Sequence, residues 1–166
     1  MNWHNKLLNQ NLNASYIVIY NASAKDANAT LIKRDDLDLE FFVDTISYSF
    51  FTDNLEEGYF ITAFLNSSIP NELIKDFQAR GLFGARHVHK KILDIYFPKF
   101  DEANETHLDL AELSKTAHEK AAQYIKVNPP QKELIATRLG KIRVDIKKHL
   151  HEEMKEIDKL VKKVVG

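Results

Sequence analysis

The chain has 166 residues, 44% of them apolar and 28% charged, with a formal net charge of −1 and no cysteine. That length suits one domain, or one domain with a helical extension, and it buries a sizeable core without disulfides or metal. The missing cysteine excludes thiol catalysis, disulfide frameworks and cysteine zinc sites, and it fits a cytoplasmic protein.

Met1 to Asn13 is polar and Asn-rich and lacks an apolar h-region, so no signal peptide is expected. No apolar run approaches the ~20 residues that span a bilayer, so no membrane partner is expected either. Tyr16 to Tyr20 is β-branched and aromatic and reads as a buried strand. A loop over Asn21–Asn28 leads to a second strand at Ala29 to Lys33, and Arg34-Asp35-Asp36 turns the chain. Phe41-Phe42-Val43 and Ile46 to Phe51 read as two further strands.

The pattern then becomes helical. Asp53 or Asn54 can cap a helix whose first turn carries Glu56 and Glu57, and Tyr59, Phe60, Ala63 and Phe64 recur at helical spacing. This helix should stop near Asn66-Ser67-Ser68. Pro70 suits a first turn, and Glu72 to Ala79 reads as a second helix. Arg80 to Arg86 is a loop with two glycines, and Val88 to Ile95 fits a short helix or a strand. Glu105 to Lys126 is a long helix, Val127-Asn128-Pro129-Pro130 a hinge, and Gln131 to Val165 a second long helix with Gly140 as its weak point. Its stripe runs Ile135, Leu139, Ile142, Ile146, Leu150, Met154, Ile157, Val161, Val164. The two long helices should pair antiparallel. The expected class is α+β: a small β-rich N-terminal part with short helices over residues 1–100, then a helical hairpin extension over 101–166.

Charge is segregated along the chain. Residues 35–57 carry eight acids (Asp35, Asp36, Asp38, Glu40, Asp44, Asp53, Glu56, Glu57) and no Lys or Arg. Residues 75–91 carry Lys75, Arg80, Arg86, Lys90 and Lys91 against Asp76 alone. Residues 131–166 carry ten Lys or Arg against six acids. Solvated faces account for such runs as readily as a polyanionic partner does.

Catalytic motifs are missing. There is no Gly-x-Ser-x-Gly elbow, Walker loop, His-Glu-x-x-His motif or Gly-rich loop after a strand, so neither a cofactor nor catalytic residues are expected. His87-x-His89 lacks a third ligand nearby, so no metal is expected. The loop from Gln78 to Lys91 is the most unusual stretch. Its glycines permit close approach to a backbone, Arg binds guanine or phosphate, and Lys90 and Lys91 add sequence-independent attraction. Turn geometry and local ion pairs are the plainer reading of the same residues.

Asn128-Pro129-Pro130 resembles the Asn-Pro-Pro-aromatic motif of amino-group DNA methyltransferases, but Gln131 stands where the base-stacking aromatic belongs. A broader resemblance begins at Tyr59-Phe60-Ile61-Thr62-Ala63-Phe64-Leu65-Asn66-Ser67. This stretch resembles the Leu-Asn-Ser helix in the target-recognition domains of TaqI-like, large N6-adenine DNA methyltransferases of restriction-modification systems, and of type I specificity subunits. The second helix (Ile69 to Ala79), the Gly/Arg turn (Gly81 to Arg86) and Ile95-Tyr96-Phe97-Pro98-Lys99-Phe100 follow in the family's order. Phe100-Asp101 through His107 to Leu113 resembles the continuation, and Tyr20-Asn21-Ala22-Ser23 the start. The resemblance spans roughly residues 16–165, without the catalytic domain.

The resemblance implies a non-catalytic domain that binds double-stranded DNA and gives specificity to a methyltransferase catalytic domain or subunit outside this chain. Arg80, Arg86, His87, His89, Lys90 and Lys91 are then the expected DNA contacts, with Lys33 and Arg34 as further candidates. The acidic stretch should face away from phosphate, and Asn66-Ser67 should be a helix end. The long helices should serve as a spacer or coiled-coil arm that permits a homodimer. The alternative is a helical protein–protein interaction module without DNA contact.

Overall fold

The computed structural model describes residues 8–22, 26–44, 46–75, 80–81, 84–85, 92, 98–130 and 133–166, with only the backbone at 80–81 and 84–85. Three strands form an antiparallel sheet of order β2-β1-β3: β1 (Tyr16–Asn21), β2 (Ala29–Lys33) and β3 (Ser47–Thr52). Strand β1 is central, with Val18 opposite Leu31 on one side and Phe50 on the other. Its alternation sends Val18 and Tyr20 into the main core, while Ile17, also fully buried, points to the opposite face.

The expected strand at Phe41-Phe42-Val43 is not one. The Gln10 amide accepts from the Val43 N–H and donates to the Val43 carbonyl, both at 2.8 Å. A side chain thus takes the place of a neighbouring strand.

Helix α1 (Leu55–Asn66) starts where Asn54 caps it, its side chain accepting from the Glu57 N–H at 3.0 Å. Every residue from Gly58 to Leu65 is buried, the signature of a helix surrounded on all sides. At Gly58 the helix lies so close to β2 that an added Cβ would sit 2.7 Å from Cδ1 of Leu31. Helix α2 (Ser68–Leu73) begins earlier and is shorter than the expected Glu72–Ala79, with Pro70 in its first turn. A two-residue pair follows, β4 (Arg80–Gly81) with β5 (Gly84–Ala85), Arg80 opposite Ala85 and Gly81 opposite Gly84.

Asn104 caps α3 (Glu105–Val127), which fills the expected range. The hinge reading of Asn128-Pro129-Pro130 holds: Asn128 ends α3, its backbone and side-chain N–H groups both donating to the Tyr124 carbonyl. The single helix expected from Gln131 to Val165 is two, α4 (Ala136–His149) and α5 (His151–Val165). The break falls at Leu150 (φ −93°, ψ 14°), not at Gly140. It separates a helix with no fully buried residue from one that buries Glu153, Ile157 and Val161, so α5 follows the core and α4 does not. Helix α3 runs antiparallel to the chain from α4 into α5, since Tyr124 meets His149 at the end of α4 while Lys120 meets Glu153 of α5.

One hydrophobic cluster holds these parts together. Val18, Tyr20, Phe60, Phe64, Ile74 and Ile92 join Leu110, Ala111, Ile157 and Val161 in it. The cluster crosses the expected boundary between residues 100 and 101, so α3 and α5 complete the core around α1. Truncating Phe60 or Phe64, both at most 1% exposed, should cost ~3–5 kcal/mol. Among the described residues, no helix is long and apolar enough to cross a membrane.

Candidate nucleic-acid interface

A polar joint links α1 to α2 and ties both to β2 and α5. The Asn66 side chain accepts from the Ala29 N–H at 2.8 Å and donates to the Ala29 carbonyl at 2.9 Å, pairing with the outer edge of β2 as another strand would. Ser67 is both the C-cap of α1 and the N-cap of α2, accepting from the Ile69 N–H and donating to Asp158 of α5 at 2.7 Å. Asp158 also accepts from the backbone N–H and the hydroxyl of Ser68. Asn71 is buried; it accepts from the Ala27 N–H and donates to the Leu65 and Ser67 carbonyls. Asn66 and Ser67 are therefore a helix end, as expected, and with Asn71 they tie sheet, α1, α2 and α5 to one another.

These residues floor an open cleft of about 440 Å³ whose walls include Lys75 beyond α2, Lys147 of α4 and His151 of α5. The floor's polar groups are already paired within the protein, so the cleft is a joint rather than a preformed ligand cavity. The acidic stretch lies elsewhere. It begins beyond the far end of β2, four residues or ~13 Å of strand from Ala29. It ends in the first turn of α1, ~15 Å of helix from Asn66.

Titratable groups with shifted pKa values sit in the packing. Burial lowers His118, reinforced by Lys33 and opposed by its hydrogen bond to the Ser114 carbonyl. With Nδ1 on that carbonyl at 2.7 Å, Nε2 is free to accept the Leu31 N–H at 3.3 Å, a second cap on the β2 edge. His118 is half-buried, with its ring edge-on to Tyr59. His107 is buried against Phe60, and burial lowers its pKa against the opposing pull of Asp101. A hydrogen bond from Lys120 holds Glu153 below the usual carboxylate range, against the opposing effect of burial. Burial, then Tyr48, pushes the Tyr20 phenol up. None of these four groups lines the cleft.

The expected DNA contacts fall in three places. Arg80 lies in β4, its side chain not described, and Arg86, His87, His89, Lys90 and Lys91 lie outside the described residues. Lys33 ends β2, half-buried and close enough to His118 to influence its charge. Arg34 is committed internally: its guanidinium donates to the Ala14, Phe41 and Asn11 carbonyls at 2.9, 3.3 and 3.1 Å and stands 4.0 Å from Glu40. It ties the N-terminal segment to the 37–44 segment and has little left for phosphate.

Sequence reasoning passed over α4 as a charged surface. Arg138, Lys141, Arg143, Lys147 and Lys148 lie on it with one acid, Asp145, and no residue is buried. The signal was present in the basic count of residues 131–166 but was diluted by the balanced α5. Comparison with protein families, with curated proteins and with solved structures finds no match.

Proposed function

We propose that this chain is a non-catalytic DNA-recognition domain of a restriction-modification DNA methyltransferase, working in the cytoplasm and giving sequence specificity to a catalytic domain outside the chain. The observation that carries the reading is the ordered series of motifs from Tyr59 to Leu113. The local structure supports it. The Asn-Ser end of α1 is a rigid joint, and the Gly/Arg turn that follows α2 is a short antiparallel pair with Arg80 opposite Ala85, the residue before Arg86. Base reading needs side chains held in register with a groove, and a two-residue antiparallel pair sets Arg80 at a defined register position.

In this reading Arg80 and Arg86 contact guanine edges or phosphates, His87 and His89 contact base edges, and Lys90 and Lys91 contact phosphates. Lys33 is peripheral, and Arg34 is a structural tie. Replacing Arg80 and Arg86 by Ala should weaken duplex binding, measured by fluorescence anisotropy, and flatten its salt dependence. Unchanged binding removes the assignment. Binding of S-adenosylmethionine by the chain alone removes the non-catalytic part.

A second reading rests on the exposed apolar residues where α3 meets α4. Ile125, Val127, Leu134, Ile135 and Val144 are all at least 44% exposed. Such a tip suits an interaction module that pairs with a second copy. Sedimentation at several concentrations, with and without duplex, separates the two readings.

A further inference from the structure

Helix α4 breaks a rule that its neighbour keeps. In α5 the charges are balanced and paired: Lys155 with Glu152, Lys159 with Glu156, and Glu153 with Lys120 of α3. In α4 five cations face one acid. Among the described residues, no carboxylate lies within 4.0 Å of a Lys or Arg of α4. Arg138 donates to the backbone carbonyl of Glu133, and Lys141, Arg143, Lys147 and Lys148 are exposed. Like charges at helical spacing, such as Arg143 and Lys147, oppose helix formation. Burial compensates only in part, because no α4 residue is fully buried and its apolar stripe is half-buried. The last-turn cations Lys147 and Lys148 suit the helix C-terminus, and the remaining excess of positive charge is available to an anionic partner.

The charge has a shape. Arg138 and Lys148 are ten residue steps apart, ~15 Å of helix. At ~100° per residue Arg143 and Lys147 lie on one flank of the apolar stripe and Arg138, Lys141 and Lys148 on the other, and a duplex offers phosphates about every 1.7 Å of axis with both strands counted. Lys147 and His151 also line the cleft that Lys75 lines, together with Asp26, Glu72 and the hydrogen-bonded Asp158, and Lys75 lies five residues before Arg80 in the chain. The acidic stretch sits at the opposite ends of β2 and α1. The apolar stripe of α4 (Leu139, Ile142, Ile146) is half-buried, whereas a helix lying on a membrane needs such a stripe free for lipid.

We propose that α4, with Lys75 of the same cleft, is a sequence-independent binding surface for the phosphate backbone of a nucleic-acid duplex. It rests on the DNA-recognition reading and adds to it a second contact, made by a helix and not by the Arg80–Lys91 loop.

The test is anisotropy with a labelled mixed-sequence 30-base-pair duplex, read across salt concentrations. The probes compared with it are a poly-glutamate peptide and phosphatidylserine vesicles. The full chain is compared with a variant carrying Lys141→Gln, Arg143→Gln, Lys147→Gln and Lys148→Gln, and with a milder Lys147→Gln/Lys148→Gln variant. Glutamine keeps helix propensity, and circular dichroism checks the fold. The expected result is a loss of at least about tenfold in duplex affinity. The slope of log K against log salt should fall by up to ~3.6 for four contacts and by about half that for two. Duplex binding unchanged in both variants overturns this inference and leaves the recognition reading standing. No duplex binding by the unaltered chain overturns both. If Arg80→Ala/Arg86→Ala has no effect while the glutamine variants lose binding, α4 stands and the reading loop falls. Equal binding to poly-glutamate or vesicles, lost in the same variants, overturns the assignment to nucleic acid.

Discussion

The pairing of Asn66 with Ala29 is the most exacting local feature of the fold, and it can be perturbed by a single atom. Asn66→Asp preserves shape and keeps an acceptor for the Ala29 N–H, now at 2.8 Å. It replaces the amide donor, which lies 2.9 Å from the Ala29 carbonyl, with an oxygen. One half-buried hydrogen bond becomes a contact between two acceptors. A net hydrogen bond contributes about 1 kcal/mol, and an orphaned acceptor costs ~1–3 kcal/mol more. The Asp variant should therefore lose ~2 kcal/mol or more, and Asn66→Ala, which removes both bonds, about 2 kcal/mol. With a urea m-value of ~2 kcal/mol/M the unfolding midpoint falls by about 1 M in either case. Hydrogen exchange gives a local check, because the Ala29 amide should lose protection in the Ala variant and keep much of it in the Asp variant. An Asp variant unfolding within ~0.2 M of the parent would refute the reasoning, because the donor would then contribute nothing.

Three further outcomes follow from the packed polar groups. His107 and His118 have lowered pKa values in the fold, so the unfolded chain takes up protons first as pH falls. Their contribution is complete above the ordinary imidazole value of 6.5 and lost as pH drops through the folded values. The urea midpoint should decline on acidification below that value, before carboxylates titrate, and His107→Asn, which keeps an acceptor for the Asp101 N–H, should flatten the decline. A midpoint constant down to about pH 5 counts against both histidines. The Tyr20 hydroxyl is buried without a partner among the described residues, so Tyr20→Phe should leave stability unchanged or raise it by up to ~1 kcal/mol in thermal unfolding. Asp158→Ala strips the acceptor from Ser67 and Ser68 and should lower the melting temperature, whereas Ser68→Ala, at an exposed site, should do so less.

Local chemistry made several elements legible before the structure. The β-branched run Tyr16–Tyr20, the strand Ala29–Lys33 and the helix from Glu105 all lie where pattern and capping residues put them. The break at Leu150 was hidden because the apolar stripe passes through it without a change of period; only the packing of α5, and not of α4, separates them. His118 illustrates a different limit. Helical spacing does not say that an imidazole will cap a strand edge 87 residues earlier in the chain. The same holds for Asn66 with Ala29 and Asp158 with Ser67, which pair across 37 and 91 residues. Arg34 looked like a free cation in the sequence, and the carbonyls that occupy it come from segments with no local signature. Half of the candidate interface was legible as charge, in the Arg80–Lys91 loop. The α4 half was masked because the counting window included the balanced helix beside it.

The spread of the core along the chain sets a timetable for biosynthesis. Helix α1 is apolar on every side, yet the residues that cover it arrive late: Leu110 from α3, and Ile157 and Val161 from α5. At synthesis rates of ~10 residues per second, the 91 residues between Ser67 and Asp158 take about 9 s to appear. Throughout that interval Phe60 and Phe64 lack the part of their cover that α5 supplies. The full core around α1 therefore closes only after α5 has left the ribosome. A ribosome stalled before residue 157 should display a protease-sensitive nascent chain, and one stalled well past α5 a resistant one.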